Sequence, residues 1–385
     1  MKISILTPDF SNNCFARAWL LAKLLQRRHN VEIIGPAFGE GIWKPLRNAC
    51  DFETKILTGN HSGNFEFRKM LRRISGDVIY ATKPLMASFG LALVKKIRAR
   101  KPLVLDIDDW ELGFGKEFYD SLIWFKKLND FLLSISNWKS YYYTIILNSL
   151  LGFANDITVS GEALRKKYGG TIIWHARDPN IFHHPSLGKT ELRNKYLPGR
   201  NNFFIVGFIG SPRPHKGIED LIEAMDLLNE GFFLLVVGLD DNEYCRSLVA
   251  KAKDSKFKNR FAFFPKQSFS KLVDFLTITD LIAVPQRKRP ASYGQVPAKL
   301  FDAMKMGKPI IATNVYDLPD IISSCGWIIE PENPKQLAEV ISYVSSHRDE
   351  ALNKALRAQQ RYEARFSWGR MSARLISLFE KYEKH

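Results

Sequence analysis

Short apolar runs alternate with amphipathic stretches along the whole chain. KISILT, residues 2–7, is the first run. FARAWLLAKLLQRR follows, with Phe15, Trp19, Leu20, Ala22, Leu24 and Leu25 at helical spacing. VEIIGP at 31–36 is the next run, so the chain opens β-α-β and implies a parallel strand pair. DVIYATK (77–83), a helical stretch around LALVKKIRAR, PLVLDIDDW (102–110) and DITVSG (156–161) continue the alternation. The polar stretch GKTELRNKYLPGRNN, 188–202, holds Gly and Pro and reads as a linker. A second series follows it: FFIVGFIG (203–210), FFLLVVG (232–238), RFAFFP (260–265), DLIAVP (280–285), PIIAT (309–313) and GWIIEP (326–331), with helical patterns between them. Runs as continuously apolar as FFLLVV fit parallel strands covered on both faces. From Pro334 to His385 the pattern is helical.

This predicts an α/β protein of two doubly wound, Rossmann-like halves, with ligands at the carboxyl ends of the strands in a cleft between them. A length of 385 residues accommodates two or three domains of about 150 residues each. No apolar stretch reaches the roughly 18 residues a membrane-spanning helix needs, and the apolar run at the N-terminus is shorter than a signal-peptide core. A soluble or peripheral protein is expected. The cysteines Cys14, Cys50, Cys245 and Cys325 are far apart with no pairing pattern, which suits reduced thiols. The formal charge of +16 calls for an acidic partner: a nucleic acid, an anionic membrane face or a phosphorylated substrate.

Two segments carry candidate chemistry. FIGSPRPHKGIEDLIEAM puts Gly210 at a strand end and Arg213, His215 and Lys216 in a loop that leads into a helix N-terminus. Cations and free N–H groups together suit a diphosphate. Neither a Walker sequence nor a G-x-G-x-x-G fingerprint is present. SYGQVPAKLFDAMKMGKPIIAT offers loop amides at Gly294, Gln295 and Val296, then a helix with Lys299 and Asp302 on one face. Asp302 could accept two ribose hydroxyls, and an i,i+3 salt bridge on a solvated helix face is the competing reading.

With these segments the chain resembles the GT-B glycosyltransferases, specifically the retaining glycosyltransferase family 4. The carrying residues are GSPRPHKGIEDLIEAM, DLIAVP, VPAKLFDAMKMGKPIIAT, GWIIEP and FSW at 366–368, together with VSGEALRKKYGG and HARDPNIFHHP in the first half. The resemblance implies an acceptor-binding domain over 1–190, with the helix 366–385 packing back on it, and a nucleotide-sugar-binding domain over 200–365. It implies front-face transfer from a nucleotide-diphosphate sugar to an acceptor hydroxyl without cofactor or metal.

The donor residues implied are Gly210, Ser211, Arg213, Lys216, Gly294, Gln295, Val296, Lys299 and Asp302. Asp302 stands at the ribose-binding Glu of the family. Gly294 stands where the family has its first Glu, and Ser211 stands at the family's Arg, for which Arg213, Arg287 or Arg289 could substitute. In VLDIDDWE, Asp108 and Asp109 match the place of the family's His-Asp pair and are the implied catalytic residues beside the sugar. A metal-chelating D-x-D is the rival reading there.

FEFRKMLRRI sets Arg68, Lys69, Arg72 and Arg73 on one side of a helix, beside Phe65, Phe67 and Leu71. KKIRARK at 95–101 is a second basic cluster, and residues 114–151 are rich in aromatics. Together they suggest an acceptor or anionic-membrane surface, a lipid-linked acceptor and a place on the inner face of the cell membrane. Nucleic acid is disfavoured because no binding motif accompanies the charge. A sugar-nucleotide epimerase and a non-catalytic relative remain the alternatives.

Overall fold

The structure, a computed structural model, describes residues 1–60, 64–120, 138–256 and 258–383, with the side chains of Phe118 and Lys258 excepted. It contains two compact units. The first comprises Met1–His175, Pro290–Gln295 and Trp368–His385; the second comprises Ala176–Arg289 and Val296–Ser367.

The first unit is built on a seven-stranded sheet in the order β3-β2-β1-β4-β5-β6-β7. Its strands are β1 (Lys2–Leu6), β2 (Asn30–Ala37), β3 (Glu53–Thr58), β4 (Val78–Thr82), β5 (Leu103–Ile107), β6 (Asp156–Val159) and β7 (Thr171–Ile172). Every strand pair in it is parallel. Ile3, Ile5, Ile33, Ile79, Val104 and Leu105 are inaccessible, as expected for strands covered on both faces. The terminal helix Trp368–Glu380 packs on helix Phe15–Leu25, where the Ser372 hydroxyl donates to the Leu24 carbonyl at 2.8 Å. A buried bidentate ion pair joins Arg17 to Asp106 of the interior strand β5, with N–O distances of 2.8 and 2.9 Å. Asp106 also accepts from Thr158.

The second unit has a six-stranded parallel sheet in the order β10-β9-β8-β11-β12-β13. Its strands are β8 (Phe204–Ile209), β9 (Phe232–Leu239), β10 (Phe261–Pro265), β11 (Leu281–Val284), β12 (Ile310–Thr313) and β13 (Trp327–Ile329). Helix Ile218–Leu227 lays Ile218, Leu221, Ile222 and Met225 on this sheet. In both sheets the strand order reverses once, at β1/β4 and at β8/β11. The crevice outside the carboxyl ends at such a reversal is where ligands bind in this architecture.

The stretch 188–202 carries helix Lys189–Tyr196, which packs on helix Phe269–Ile278 within the second unit. The division between the units falls ahead of it, at His175 and Ala176. Two strands do not stand out in the apolar pattern. β3 is a polar edge strand that buries only Leu57, and β7 is two residues long.

Candidate functional sites in the two units

In the first unit, the chemistry gathers at the carboxyl ends of β4 and β5. Lys83 follows β4 with φ at +65°, a left-handed backbone ahead of Pro84. That conformation is costly for a residue with a Cβ and is also disfavoured before proline. Its N–H donates to the Asp106 carbonyl at 2.7 Å. Its ammonium lies 3.0 Å from Asp108, 2.5 Å from Asp109 and 2.6 Å from Glu111. Asp108 and Asp109 are therefore brought together, around a lysine that sequence reading missed. A left-handed lysine has no signature in sequence beyond the pair Lys83-Pro84.

Burial dominates the electrostatics here. It pushes the Asp108 carboxyl up to about 7; Lys83 opposes the shift, and Asp109 and Asp106 add to it. Glu111 is raised for the same reason. Burial opposes the charge on Lys83, but the three carboxylates outweigh it and hold the ammonium well above its ordinary range. Gln295 joins the cluster, its side-chain amide donating to Asp109 at 3.0 Å. Gly294 beside it has φ at +67°, and a Cβ there would stand 2.6 Å from the Leu164 side chain. Tyr293 meets the Trp110 ring edge-on at 5.3 Å. Gly294 and Gln295 thus belong to the first compact unit, whereas Val296 is buried in the second.

In the second unit, the carboxyl ends of β8, β9 and β11 form the other site. Gly210 and Gly238 carry φ values of +138° and +120°, and a Cβ on Gly238 would press on the Gly210 carbonyl at 2.7 Å. Only glycine tolerates this approach. The turn Pro214–Lys216 ends at Gly217, left-handed at +67°, whose added Cβ would sit 2.0 Å from the Pro285 carbonyl oxygen. This fixes Lys216 at the start of helix Ile218–Leu227, where its Nζ approaches the Gln286 side-chain carbonyl at 3.4 Å. Ser211 is half-buried beside Gly210.

Lys299 is buried, and its Nζ has no hydrogen-bond partner among the described residues. The amine sits over the Phe208 ring, 2.9 Å from its centre, and next to Gly210. Burial, with help from nearby Lys216, holds Lys299 well below the usual lysine range. Asp302 is also buried, so the pair does not lie on a solvated helix face. Its ion-pair partner is Arg177, another residue missed in the sequence because it precedes Asp302 by more than a hundred positions. Burial raises the Asp302 carboxyl, and Arg177 opposes that rise.

The proposed substitutes for the family's arginine are placed differently. Arg287 is committed to Asp220, at 2.5 and 3.1 Å. Arg289 pairs with Glu332 at 2.6 Å, and Arg213 lies 3.8 Å from Asp240.

The basic clusters of the first unit lie on helices Phe67–Arg73 and Leu91–Ala99. Arg68, Lys69 and Arg72 are exposed, whereas Arg73 is half-buried and donates to the Ile56 carbonyl at 3.0 Å. Phe65 and Phe67 pack on Trp138, with ring centres 5.0 and 5.6 Å away, and are not an outward apolar face. Tyr119, Tyr141 and Tyr142 also pack on one another. Trp124, Phe125 and Phe131 lie outside the described residues.

Two parallel-sheet, Rossmann-like units with strand-end sites of this kind define the GT-B fold. Residues 189–365, less than half of the chain, match the family model "Glycosyl transferases group 1", and the fold is that of GT-B proteins. The chain is 40% identical over 192 residues to spore coat protein SA of Bacillus subtilis, covering 46% of this chain and 48% of that one. It is 25% identical over 185 residues to D-inositol 3-phosphate glycosyltransferase of Nocardia farcinica, covering 46% and 40%. The chain thus spans about half the length, or less, of the curated relatives it matches. Among solved structures it resembles Anabaena Alr3699/HepE in complex with UDP-glucose, with TM-score 0.78, 18% identity and coverage of 99% and 100%. It also resembles sucrose-phosphate synthase of Thermosynechococcus elongatus, with TM-score 0.72, 15% identity and coverage of 100% and 99%.

Proposed function

We propose that the protein is a retaining glycosyltransferase that moves a sugar from a nucleoside-diphosphate sugar to an acceptor hydroxyl. The observation that carries this reading is the amine of Lys299, buried without a hydrogen-bond partner beside Gly210 and near Lys216. A diphosphate would supply the acceptor oxygens that this amine lacks and the anion that two neighbouring lysines need. As the sugar–phosphate bond breaks, charge grows on the leaving diphosphate, and fixed cations there lower the barrier. The solved UDP-glucose complex of the structurally similar Anabaena protein supports a uridine nucleotide as the first donor to test.

Asp108 and Asp109 are read as the groups that face the sugar and the acceptor. The Lys83 ammonium already occupies the centre of the carboxylates, which supports a transfer that needs no metal. Asp302, bound to Arg177, is read as the acceptor of ribose hydroxyls once the nucleotide enters.

The test is a panel of radiolabelled nucleotide sugars, UDP-glucose first, scored for transfer and for hydrolysis with and without EDTA. Turnover that survives EDTA, with the anomeric configuration retained by NMR, is expected. Absence of both turnover and nucleotide binding across the panel would remove the reading. Binding without turnover would favour a non-catalytic relative, a reading supported by Gly294 and Ser211 at the family's Glu and Arg.

We further propose a polysaccharide, glycolipid or other glycoconjugate acceptor presented at an anionic membrane surface, with the protein on its inner face. No helix of the described residues is long and apolar enough to cross a membrane. The support lies on the first unit, where Ile97 is 74% and Phe153 58% exposed. Lys96, next to Ile97 in helix Leu91–Ala99, donates to the Phe153 carbonyl at 2.7 Å, and Lys95 and Arg98 lie on the same helix.

A further inference from the structure

The second unit holds another cavity, at the opposite end of its sheet from Gly210 and Lys216. It has a volume of about 410 Å³ and opens beside the amino ends of β8 and β11. Lys189 and Thr190 enter it from the first turn of helix Lys189–Tyr196, and Arg348 from the first residue of helix Arg348–Arg365. Arg193, Asn201, Asn202 and Asp280 complete its polar lining.

The charges do not balance. Three cations line the cavity, and Asp280 is the one carboxylate among the lining residues. Asp280 already receives Lys189 at 2.5 Å, Arg193 at 2.6 Å and the Ile205 N–H at 2.7 Å. Thr190, Asn201 and Asn202 add side chains that both donate and accept, and the Asn201 amide already donates to Asn194, so what this cavity presents in surplus is positive charge. Behind it lies a fourth basic side chain, outside the lining. Lys308 is buried and donates to the carbonyls of Thr277 and Thr279, at 3.0 Å each. Burial above all pulls Lys308 down to about 7; Lys189 and Arg193 add to the shift and Asp280 opposes it. Both helices that begin at the cavity add the positive end of their dipoles.

We propose that this cavity is a binding site for a phosphate dianion, either free or as a phosphate monoester, separate from the donor site. A net charge of +2 from the lining residues (three cations less Asp280) matches a dianion. Arg348 and Lys189 are the exposed cations that close on it, while Arg193 is held from behind by the Ile278, Asn201 and Phe203 carbonyls. The site does not depend on the chain being a glycosyltransferase, since none of its residues belongs to the donor machinery.

The test is calorimetry and thermal unfolding of the full chain with inorganic phosphate and, separately, glycerol 3-phosphate, at constant ionic strength set with chloride. Arg348→Glu removes one cation while placing an acid in a first helical turn, where the dipole favours it, so folding should survive. Lys216→Ala disables the donor site as the other place phosphate could bind. Saturable binding by either probe that persists in Lys216→Ala and weakens at least tenfold in Arg348→Glu supports the proposal. The tighter of the two probes identifies the source of the phosphate. Binding lost in Lys216→Ala, binding unchanged in Arg348→Glu, or no saturable binding by either probe overturns it.

Discussion

The Lys83 ammonium stands 2.5 Å from the Asp109 carboxylate while the Lys83 backbone is left-handed ahead of a proline. A strained non-glycine residue at the carboxyl end of a sheet persists because its surroundings over-determine it. Here the determinants are three carboxylates and the Asp106 carbonyl. Replacing Lys83 by Met should therefore cost far more than one surface ion pair. Losing one partner of a buried charge cluster costs about 3–5 kcal/mol. Without the cation, the folded state keeps protons on Asp108 and Glu111, both already raised by burial, that the unfolded chain has released. The unfolded state then binds fewer protons, so stability falls as pH rises. Urea unfolding of Lys83→Met at pH 5 and pH 8 should show the larger loss at pH 8. An equal loss at both would mean the lysine acts by packing alone.

Asp108 gives the catalytic reading a pH signature. With its carboxyl raised to about 7, half of the free enzyme holds the proton at neutrality. If the carboxylate faces the developing positive charge of the sugar, kcat/KM should climb with pH and level off above about 8. Asp108→Asn should remove that rising limb as well as lowering the rate. The same ionisation penalises the fold: the unfolded carboxyl ionises near 4 and the folded one only near 7. Its contribution to stability is therefore lost between those values as pH rises, and Asp108→Asn should flatten that part of the stability curve. A rising limb unchanged in Asp108→Asn would assign the proton elsewhere.

Much of this was legible in the sequence, for physical reasons. Runs such as FFIVGFIG and FFLLVVG are apolar because parallel strands are covered twice, and they became β8 and β9. β3 escaped because an edge strand with one buried leucine has no such run. That Gly210 and Lys216 share one strand-to-helix connection was readable because a βα loop keeps its members close in sequence. Arg177 and Lys83 were not, since ion pairs across elements leave no local pattern. Phe65, Phe67, Tyr119, Tyr141 and Tyr142 show a related limit: composition reveals an apolar surplus but not which way it faces. In the structure those rings pack on Trp138 or on one another, and among the described residues of the first unit the exposed large apolar side chains are Ile97, Ile145, Ile146 and Phe153.

Nucleotide binding should take up a proton at Lys299. The amine faces burial, Lys216, Asp302 and, beyond Asp302, Arg177; burial and Lys216 lower its pKa. A bound diphosphate favours the ammonium, so pKa rises on binding and a proton enters at pH values between the free and bound pKa. Calorimetry of UDP binding in buffers of different ionisation enthalpy reads this directly, with an uptake of up to one proton expected. Lys299→Met should abolish the uptake. It should also weaken UDP about 10- to 100-fold, the range for losing a charged hydrogen bond of about 1.5–3 kcal/mol. Tight UDP binding with no proton uptake in the wild type would show that Lys299 serves the Phe208 ring and not the ligand.

Membrane association separates into an electrostatic and an apolar part. Arg68, Lys69 and Arg72 are exposed on one helix, and each basic residue near an anionic surface contributes about 1 kcal/mol, roughly fivefold in affinity. Ile97 and Phe153 supply apolar contact beside a second set of cations. Flotation with vesicles should show binding that grows with phosphatidylglycerol content and weakens with salt. Neutralising Arg68 and Arg72 together should lower the affinity about 25-fold and reduce the salt sensitivity, since each charge removed weakens the same attraction. Phe153→Glu should lower affinity on acidic vesicles while leaving UDP binding intact, because Phe153 lies on the first unit and the proposed diphosphate lysines on the second. Flotation that does not change with acidic lipid, or that survives both sets of substitutions, would mean that these residues serve a soluble acceptor or partner instead.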